Sequence, residues 1–306
     1  MVSRSTITRA LFLVTLLAFL IINLQWISPP PESPNVPPQE VLPDEDFSYT
    51  AVMKPARPDL KDLIMVAGHA IYLGDLSLQP PQRDDGWILE SFQRNGQVEV
   101  LLNHIQAGMK LAESSKESLL IFSGGETRVF GGAMSEAQSY YWLAHKLYSD
   151  RKPGTENFRP FERATTEEHA GDSYENLLFS ICRFREVTGS YPRNITVVGF
   201  EFKRERFEKI HRYALRFPME RFNYVGIDPL HKPIAGETVN SFNPYVKDLY
   251  GCHGTLREKR ESRNPFRQYH GYEKSCSEIA RLIRYCPKTA DTLYSLPLPW
   301  DKMQKT

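Results

Sequence analysis

The sequence predicts an α/β fold, a Rossmann-like three-layer sandwich of about five parallel strands, with a membrane-spanning helix before it and an extension after it. Three observations carry this. Short apolar runs, Leu63–Val66, Leu119–Phe122, Ile195–Phe200 and Phe222–Ile227, alternate with helix-length stretches of mixed polarity. Strands buried on both faces read as unbroken apolar runs, and alternation with helices gives right-handed βαβ units. The second run ends in Gly124-Gly125 and is followed by a helix start at Ser135. The chain also opens on a long uncharged apolar stretch, Ala10–Ile27.

That opening stretch is close to the roughly 20 residues that cross a bilayer. Arg4 and Arg9 precede it, and acidic, proline-rich sequence follows. The positive-inside rule then leaves residues 1–9 as a cytosolic tail and the bulk of the chain lumenal. A cleaved secretory signal is the rival reading. The length of the run and the lack of a small-x-small cleavage site favour a signal-anchor. Residues 28–58 contain PPPESPNVPPQEVLP and KPARP, an extended stem.

The α/β domain is expected over 59–229. Leu63–Val66 ends in Ala67-Gly68-His69-Ala70. Trp87–Ser114 reads as largely helical, with Val98, Leu101, Leu102, Ile105 and Met109 near helical spacing. Ser135–Tyr148 and Asp172–Val187 are the next helices, with Phe158–Phe161 as a short strand between them. Lys203–Phe217 is the helix after the fourth apolar run. Residues 230–306 are polar and aromatic, with a charged LREKRESR run and one helix near Ser277–Tyr285, and read as an extension packed on the domain.

Charge is balanced, with 38 basic and 37 acidic residues in 306, which gives no footprint for nucleic acid. The cysteines Cys182, Cys252, Cys276 and Cys286 show no CxxC spacing, and the eight histidines form no HExxH, so no metal site is expected. In a lumenal domain, disulfides are open among Cys252, Cys276 and Cys286, whereas Cys182 falls on an apolar helix face.

In a parallel sheet, ligands bind beyond the carboxyl ends of the strands. That rule selects Gly68 and His69, then Ser123, Gly124, Gly125, Glu126, Thr127 and Arg128. It also selects the helix starts at Ser135-Glu136 and at Asp172, Ser173, Glu175 and Asn176, and the cations Lys203, Arg204 and Arg206. Ser123 lacks the glycine at position 121 that a nucleophile elbow needs. Gly124-Gly125 completes neither G-x-G-x-x-G nor a P-loop. Their backbone N–H groups are expected to meet a ligand. Ser135 with Gln138, and Asp172 with Glu175, fit capping patterns; Glu136 and Asp172 are equally open to a general-base role. Asn176 either binds ligand or bonds Ser173. Three cations at a helix start oppose the macrodipole and call for solvent or an anion. His69 is an acid/base candidate because its ordinary pKa lies near neutrality. Asn194-Ile195-Thr196 is a glycosylation sequon abutting a buried strand, which disfavours its use.

Taken in order, VAGHA at Val66–Ala70, IFSGGETR at Ile121–Arg128, MSEAQ at Met134–Gln138, DSYENL at Asp172–Leu177 and VVGFEFKRERF at Val197–Phe207 resemble the DUF218 family (YdcF/SanA/ElyC-like). The resemblance implies a parallel five-strand domain with a pocket formed by these segments. A bacterial relative is associated with S-adenosylmethionine, and membrane-anchored relatives with cell-envelope processes. The anchor, stem and extension look like a eukaryotic, fungal-type branch in the Golgi or endoplasmic reticulum. The expectation is a type II single-pass protein whose domain binds an anionic small molecule or conjugate, nucleotide-, phosphate- or S-adenosylmethionine-like, with the cofactor unspecified. The alternative is a non-catalytic sensor or assembly factor with a protein partner on the extension. Anchor and stem also fit a glycosyltransferase, but the nearest D-x-D match, Asp44-Glu45-Asp46, lies in the stem.

Overall fold

In the computed structural model, five strands form one wholly parallel sheet: β1 (Asp62–Ala67), β4 (Ser118–Ser123), β5 (Ala164–Glu167), β6 (Asn194–Gly199) and β7 (Phe222–Gly226). Their spatial order is β5-β4-β1-β6-β7. β1 runs in register with β4 from Asp62↔Ser118 to Ala67↔Ser123, and with β6 from Asp62↔Asn194 to Val66↔Val198. The structure describes residues 55–75, 79–90, 93–94, 97–149, 160–229, 241–289 and 292–304. The anchor stretch and nearly all of the stem lie outside these residues. Among the described residues no helix is long and apolar enough to cross a membrane.

The unbroken apolar runs have a direct cause. Alternate residues of β1 enter two separate cores: Leu63, Met65 and Ala67 one, Ile64 and Val66 the other. The second core is closed by α1 (Val98–Ser114) and α2 (Glu136–Ser149). Gly108 lets α1 lie close on β1, since a Cβ there would stand 2.3 Å from Val66 Cγ2. The first core is closed by α3 (Ser173–Thr188) and by a π-helical segment, Arg206–His211, that runs into α4 (Arg212–Ala214). Asp172 caps α3, accepting from the Glu175 N–H at 2.9 Å, and Ser135 caps α2, accepting from the Gln138 N–H at 2.9 Å.

Several elements differ from the sequence reading. The expected Lys203–Phe217 helix is π-helical in its middle and ends at Ala214, and the expected Ser277–Tyr285 helix is a 3-10 turn followed by Ala280–Ile283. The long helix starts at Val98, because Trp87–Ile88 (β3) pairs with Ile71–Tyr72 (β2) in a small antiparallel ribbon, with the Trp87 indole donating to Pro81 O. The middle strand is Ala164–Glu167; the aromatic Phe161 before it sits in a 3-10 turn, Pro160–Arg163, packed against Tyr141. The charged run after residue 253 is itself helical.

That run is α6 (Gly254–Ser262), which follows α5 (Asn243–Lys247). Tyr245, Tyr250, Leu256, Tyr272, Leu282 and Trp300 of this region share the first core with α3. Trp300 is fully buried and donates its indole N–H to Leu215 O. Cys252 and Cys286 are joined in a disulfide, while Cys182 and Cys276 are buried free thiols.

The disulfide closes a loop with a sequence separation of 34, just ahead of α6. Chain entropy gives such a crosslink about 3 to 4 kcal/mol. Replacing both Cys252 and Cys286 by serine in the full chain is expected to lower unfolding stability by about that amount. Denaturant titration by circular dichroism checks this, and an unmoved midpoint refutes it.

Candidate functional site

The β1 and β6 connections leave in opposite directions, β1 towards β4 and β6 towards β7, so the topological switch point lies between them at their carboxyl ends. There Lys203 Nζ lies 3.3 Å from His69 Nδ1. Ammonium only donates, so Nδ1 accepts and the neutral ring carries its proton on Nε2. The His69 ring stacks on Phe200 at 4.7 Å, and Phe200 on Phe202 at 4.8 Å. Lys203 Nζ stands over both phenyl rings, at 5.3 and 5.9 Å. Below them, buried His104 bonds Ile227 O at 2.9 Å.

A cavity of about 1030 Å³ opens over this floor. Of the residues singled out from sequence, it brings together Gly68, His69, Thr127, Arg128, Glu136, Asp172, Ser173, Asn176, Lys203 and Arg206. α5, α6 and the residue after α6 complete the lining with Tyr245, Leu256, Glu258, Lys259 and Arg263. Sequence reasoning missed this part of the lining, because a charged run with one leucine looks like a solvated surface.

Glu136 explains the glycines. A Cβ at Gly68 would stand 2.7 Å from Glu136 Cβ, and one at Gly124 would stand 2.8 Å from Glu136 Oε2. The carboxylate lies across both, and Thr127 Oγ1 donates to its Oε1 at 2.5 Å. The backbone donors expected of the glycine turn are committed elsewhere. Gly124 N–H goes to Glu167 O and Gly125 N–H to Ala170 O, both at 2.9 Å. These two residues therefore shape the site without offering N–H groups to a ligand.

The remaining sequence candidates stand behind or beside the cavity. Ser135 donates to Glu168 at 3.1 Å, and Glu126 accepts from Gln268 at 2.6 Å. Arg204 turns away to Glu201 at 2.6 Å, Glu208 at 3.1 Å and Tyr224 O at 2.8 Å. Asn194 sits at the opposite end of β6, donating to Asp62 at 2.9 Å. Asn176 takes the Ser123 hydroxyl at 3.0 Å, while the partner of Ser173 is His211.

Charge in the cavity is uneven. Arg128 pairs with Glu90 at 2.5 Å. Asp172 pairs with Arg260 of α6 at 2.7 Å, and Glu175 with the same nitrogen at 3.1 Å. Burial alone would lift both acids. The Arg260 charge and the capping N–H hold Asp172 below its ordinary range, whereas Glu175, facing Asp172, is pushed up to about 7. Lys203, Arg206, Lys259 and Arg263 also line the cavity, with Glu136 and Glu258. Burial first, then the charges of Lys203, His104, Arg206 and Arg263, push His69 well below its ordinary value. His69 is therefore neutral at physiological pH, and the near-neutral pKa expected of it does not hold.

A parallel five-strand sheet with a cavity at its switch point places the chain among Rossmann-like α/β proteins. No protein-family model matches it. The chain belongs to the family of the Saccharomyces cerevisiae (strain ATCC 204508 / S288c) protein named "Uncharacterized protein YOR238W". The two are 31% identical over 275 residues, covering 72% of this chain and 90% of the yeast protein.

Among the described residues, one group gathers potential metal ligands, Cys252, His253 and Cys286. Its two sulfurs are bonded to each other, which removes them as thiolate ligands.

Behind the cavity, Glu167 is buried at the end of β5. Its Oε1 accepts from His169 N–H at 2.8 Å and from Tyr272 at 3.3 Å, and its Oε2 lies 2.7 Å from Ser123 Oγ. The Ser123 hydroxyl donates to Oε2 at 2.7 Å, with Asn176 Oδ1 as its alternative acceptor at 3.0 Å. Burial pushes Glu167 up to about 7. Folded Glu167 thus keeps its proton from its ordinary 4.5 up to about 7, where the unfolded chain has released it. Stability falls as pH rises through that window, by about 3 kcal/mol for this group, and stays lower above it. Glu167→Gln is expected to abolish this share of the slope and to be more stable than the parent above pH 7. Urea titrations across pH 5 to 8 check it; parallel pH profiles refute it.

Proposed function

We propose that this is a type II single-pass membrane protein of the secretory pathway, a DUF218-like member, whose lumenal domain binds an anionic small molecule or conjugate. The observation that carries the binding reading is the cavity at the sheet switch point. Lys203, Arg206, Lys259 and Arg263 line it, over an aromatic floor on which two histidines are held neutral. Cationic donors in a partly desolvated cleft suit phosphate or carboxylate groups, and the stacked Phe200 and Phe202 offer a face to a planar or apolar moiety. Glu136 and Asp172 add carboxylates to the same lining. The apolar Ala10–Ile27 run with Arg4 and Arg9 before it supports the anchor, and the Cys252–Cys286 bridge fits an oxidising compartment.

The second reading, a sensor or assembly factor without catalysis, draws on the C-terminal region. There Val246, Phe266 and Tyr269 are exposed and offer a partner surface.

The test is thermal unfolding of the full chain in detergent against inorganic phosphate, nucleotides, sugar nucleotides, polyprenyl phosphates and S-adenosylmethionine. A ligand at a hundred times its Kd adds about 2.7 kcal/mol, a rise of several degrees. Lys203→Gln and Arg263→Gln are expected to abolish the rise. Arg204→Gln is expected to keep it, because Arg204 is held outside the cavity. No rise with any class, or rises indifferent to Lys203 and Arg263, refute the anion site.

A further inference from the structure

Ser173 and His211 make a pair that the binding reading leaves unused. Ser173 Oγ lies 2.8 Å from His211 Nε2. The serine is partly exposed and lines the cavity; the histidine is fully buried behind it. His211 ends the π-helical segment that begins at Arg206, so one segment supplies both a cavity cation and the imidazole. Such π turns inside helices are frequent at functional sites. Three rings fix the imidazole edge-on: Tyr245 at 4.6 Å, Phe207 at 5.3 Å and Tyr174 at 5.9 Å. Its Nδ1 is buried and makes no hydrogen bond. Burial, then the Arg206 charge, keep the ring neutral. In the tautomer with Nδ1 protonated, the Nε2 lone pair faces the serine hydroxyl, which is the arrangement that activates a weak oxygen nucleophile.

We infer that Ser173 is a nucleophile, with His211 as its base, and that it cleaves phosphate esters bound in the cavity. The inference rests on the anion-binding reading. A phosphoryl group is favoured over an acyl group by the surroundings. Its charge is spread over three peripheral oxygens that need several donors, and Arg206, Lys203 and Arg263 line the same cavity as Ser173. Ser173 also opens α3, whose positive end favours the same charge. In the first step, the Ser173 Oγ–P bond forms as the bond from phosphorus to the leaving oxygen breaks. The serine proton moves to His211 Nε2 and on to the departing alcohol. Water then attacks the phosphoseryl group, its proton follows the same path, and inorganic phosphate and free serine result. No oxidant, reductant or second substrate is required.

An alkyl fluorophosphonate tests this without knowledge of the natural ester, since an activated serine displaces its fluoride. On the full chain in detergent, mass spectrometry is expected to find the adduct on the peptide carrying Ser173, and none in Ser173→Ala. His211→Gln, with an unchanged circular dichroism spectrum, is expected to label at least about a hundredfold more slowly. Inorganic phosphate is expected to slow labelling of the unaltered chain. If His211→Gln does not fold, labelling in heavy water replaces it; a slower rate supports proton transfer to the base, and an equal rate overturns it. An unlabelled Ser173, or equal labelling in folded His211→Gln, overturns the dyad. A thermal shift with phosphate but no labelling overturns the dyad while leaving the anion site standing. Labelling that phosphate does not slow overturns the phosphoryl assignment.

Discussion

One guanidinium holds the site closed. α6 is a polar helix with a single buried residue, Leu256, and little apolar area of its own to keep it on the sheet. Arg260 reaches from it to Asp172 and Glu175 at the start of α3, and also donates to Tyr250 O at 2.8 Å. Arg263 adds a bond to Gly171 O at 3.2 Å. These contacts turn a free helix into the fourth wall of a cavity. Gly251, with φ of 61°, gives the guanidinium its space, since a Cβ there would meet Arg260 Nη2 at 2.8 Å. A buried ion pair contributes little net stability over apolar packing, but it fixes geometry, because removing one partner strands the other charge at a cost of about 3 to 5 kcal/mol. The position of α6, rather than the stability of the fold, is what this cluster sets.

The sheet is legible because burial on both faces demands apolar runs, unbroken in β1 and β4 and interrupted only by Thr196 in β6. β5, Ala164–Glu167, was missed because its residues are Ala-Thr-Thr-Glu at the sheet edge, only half covered. Phe158–Phe161 was more apolar and drew the assignment. The helix caps at Ser135 and Asp172 were legible because local hydrogen bonding decides them. Arg204 was not separable from Arg206 by sequence. Both sit in one basic cluster, and only the turn from a 3-10 step at Glu201–Lys203 into the π segment sends one outward to Glu201 and the other inward. His211 carried no local signal at all. Its partner is 38 positions away, and the π geometry that aims it departs from the regular helix that periodicity assumes.

The glycine turn serves the chain rather than a ligand. Gly124 and Gly125 were read as donors to a ligand, by analogy with other glycine turns in α/β sheets. Here the N–H groups serve the chain, tying the β4 turn to the β5 loop. At Gly124, as at Gly68, the missing side chain admits Glu136, whereas a Cβ at Gly125 would meet the Ala170 and Glu168 carbonyls. A carboxylate lying over two glycines, held by Thr127, is a group whose position leaves little freedom to adapt.

The cavity cations bear on the neutral histidines. His69 and His211 are depressed by burial and by neighbouring cations, Arg206 being common to both. An anion seated against Arg206 and Lys203 cancels part of the field that keeps protons off these rings. By linkage, whatever raises their proton affinity is itself bound more tightly when protons are abundant. Under the proposed reading, anion binding and proton uptake would be coupled with the same sign. His211 would then become a stronger base on binding of an anionic substrate, as the proposed serine nucleophile requires.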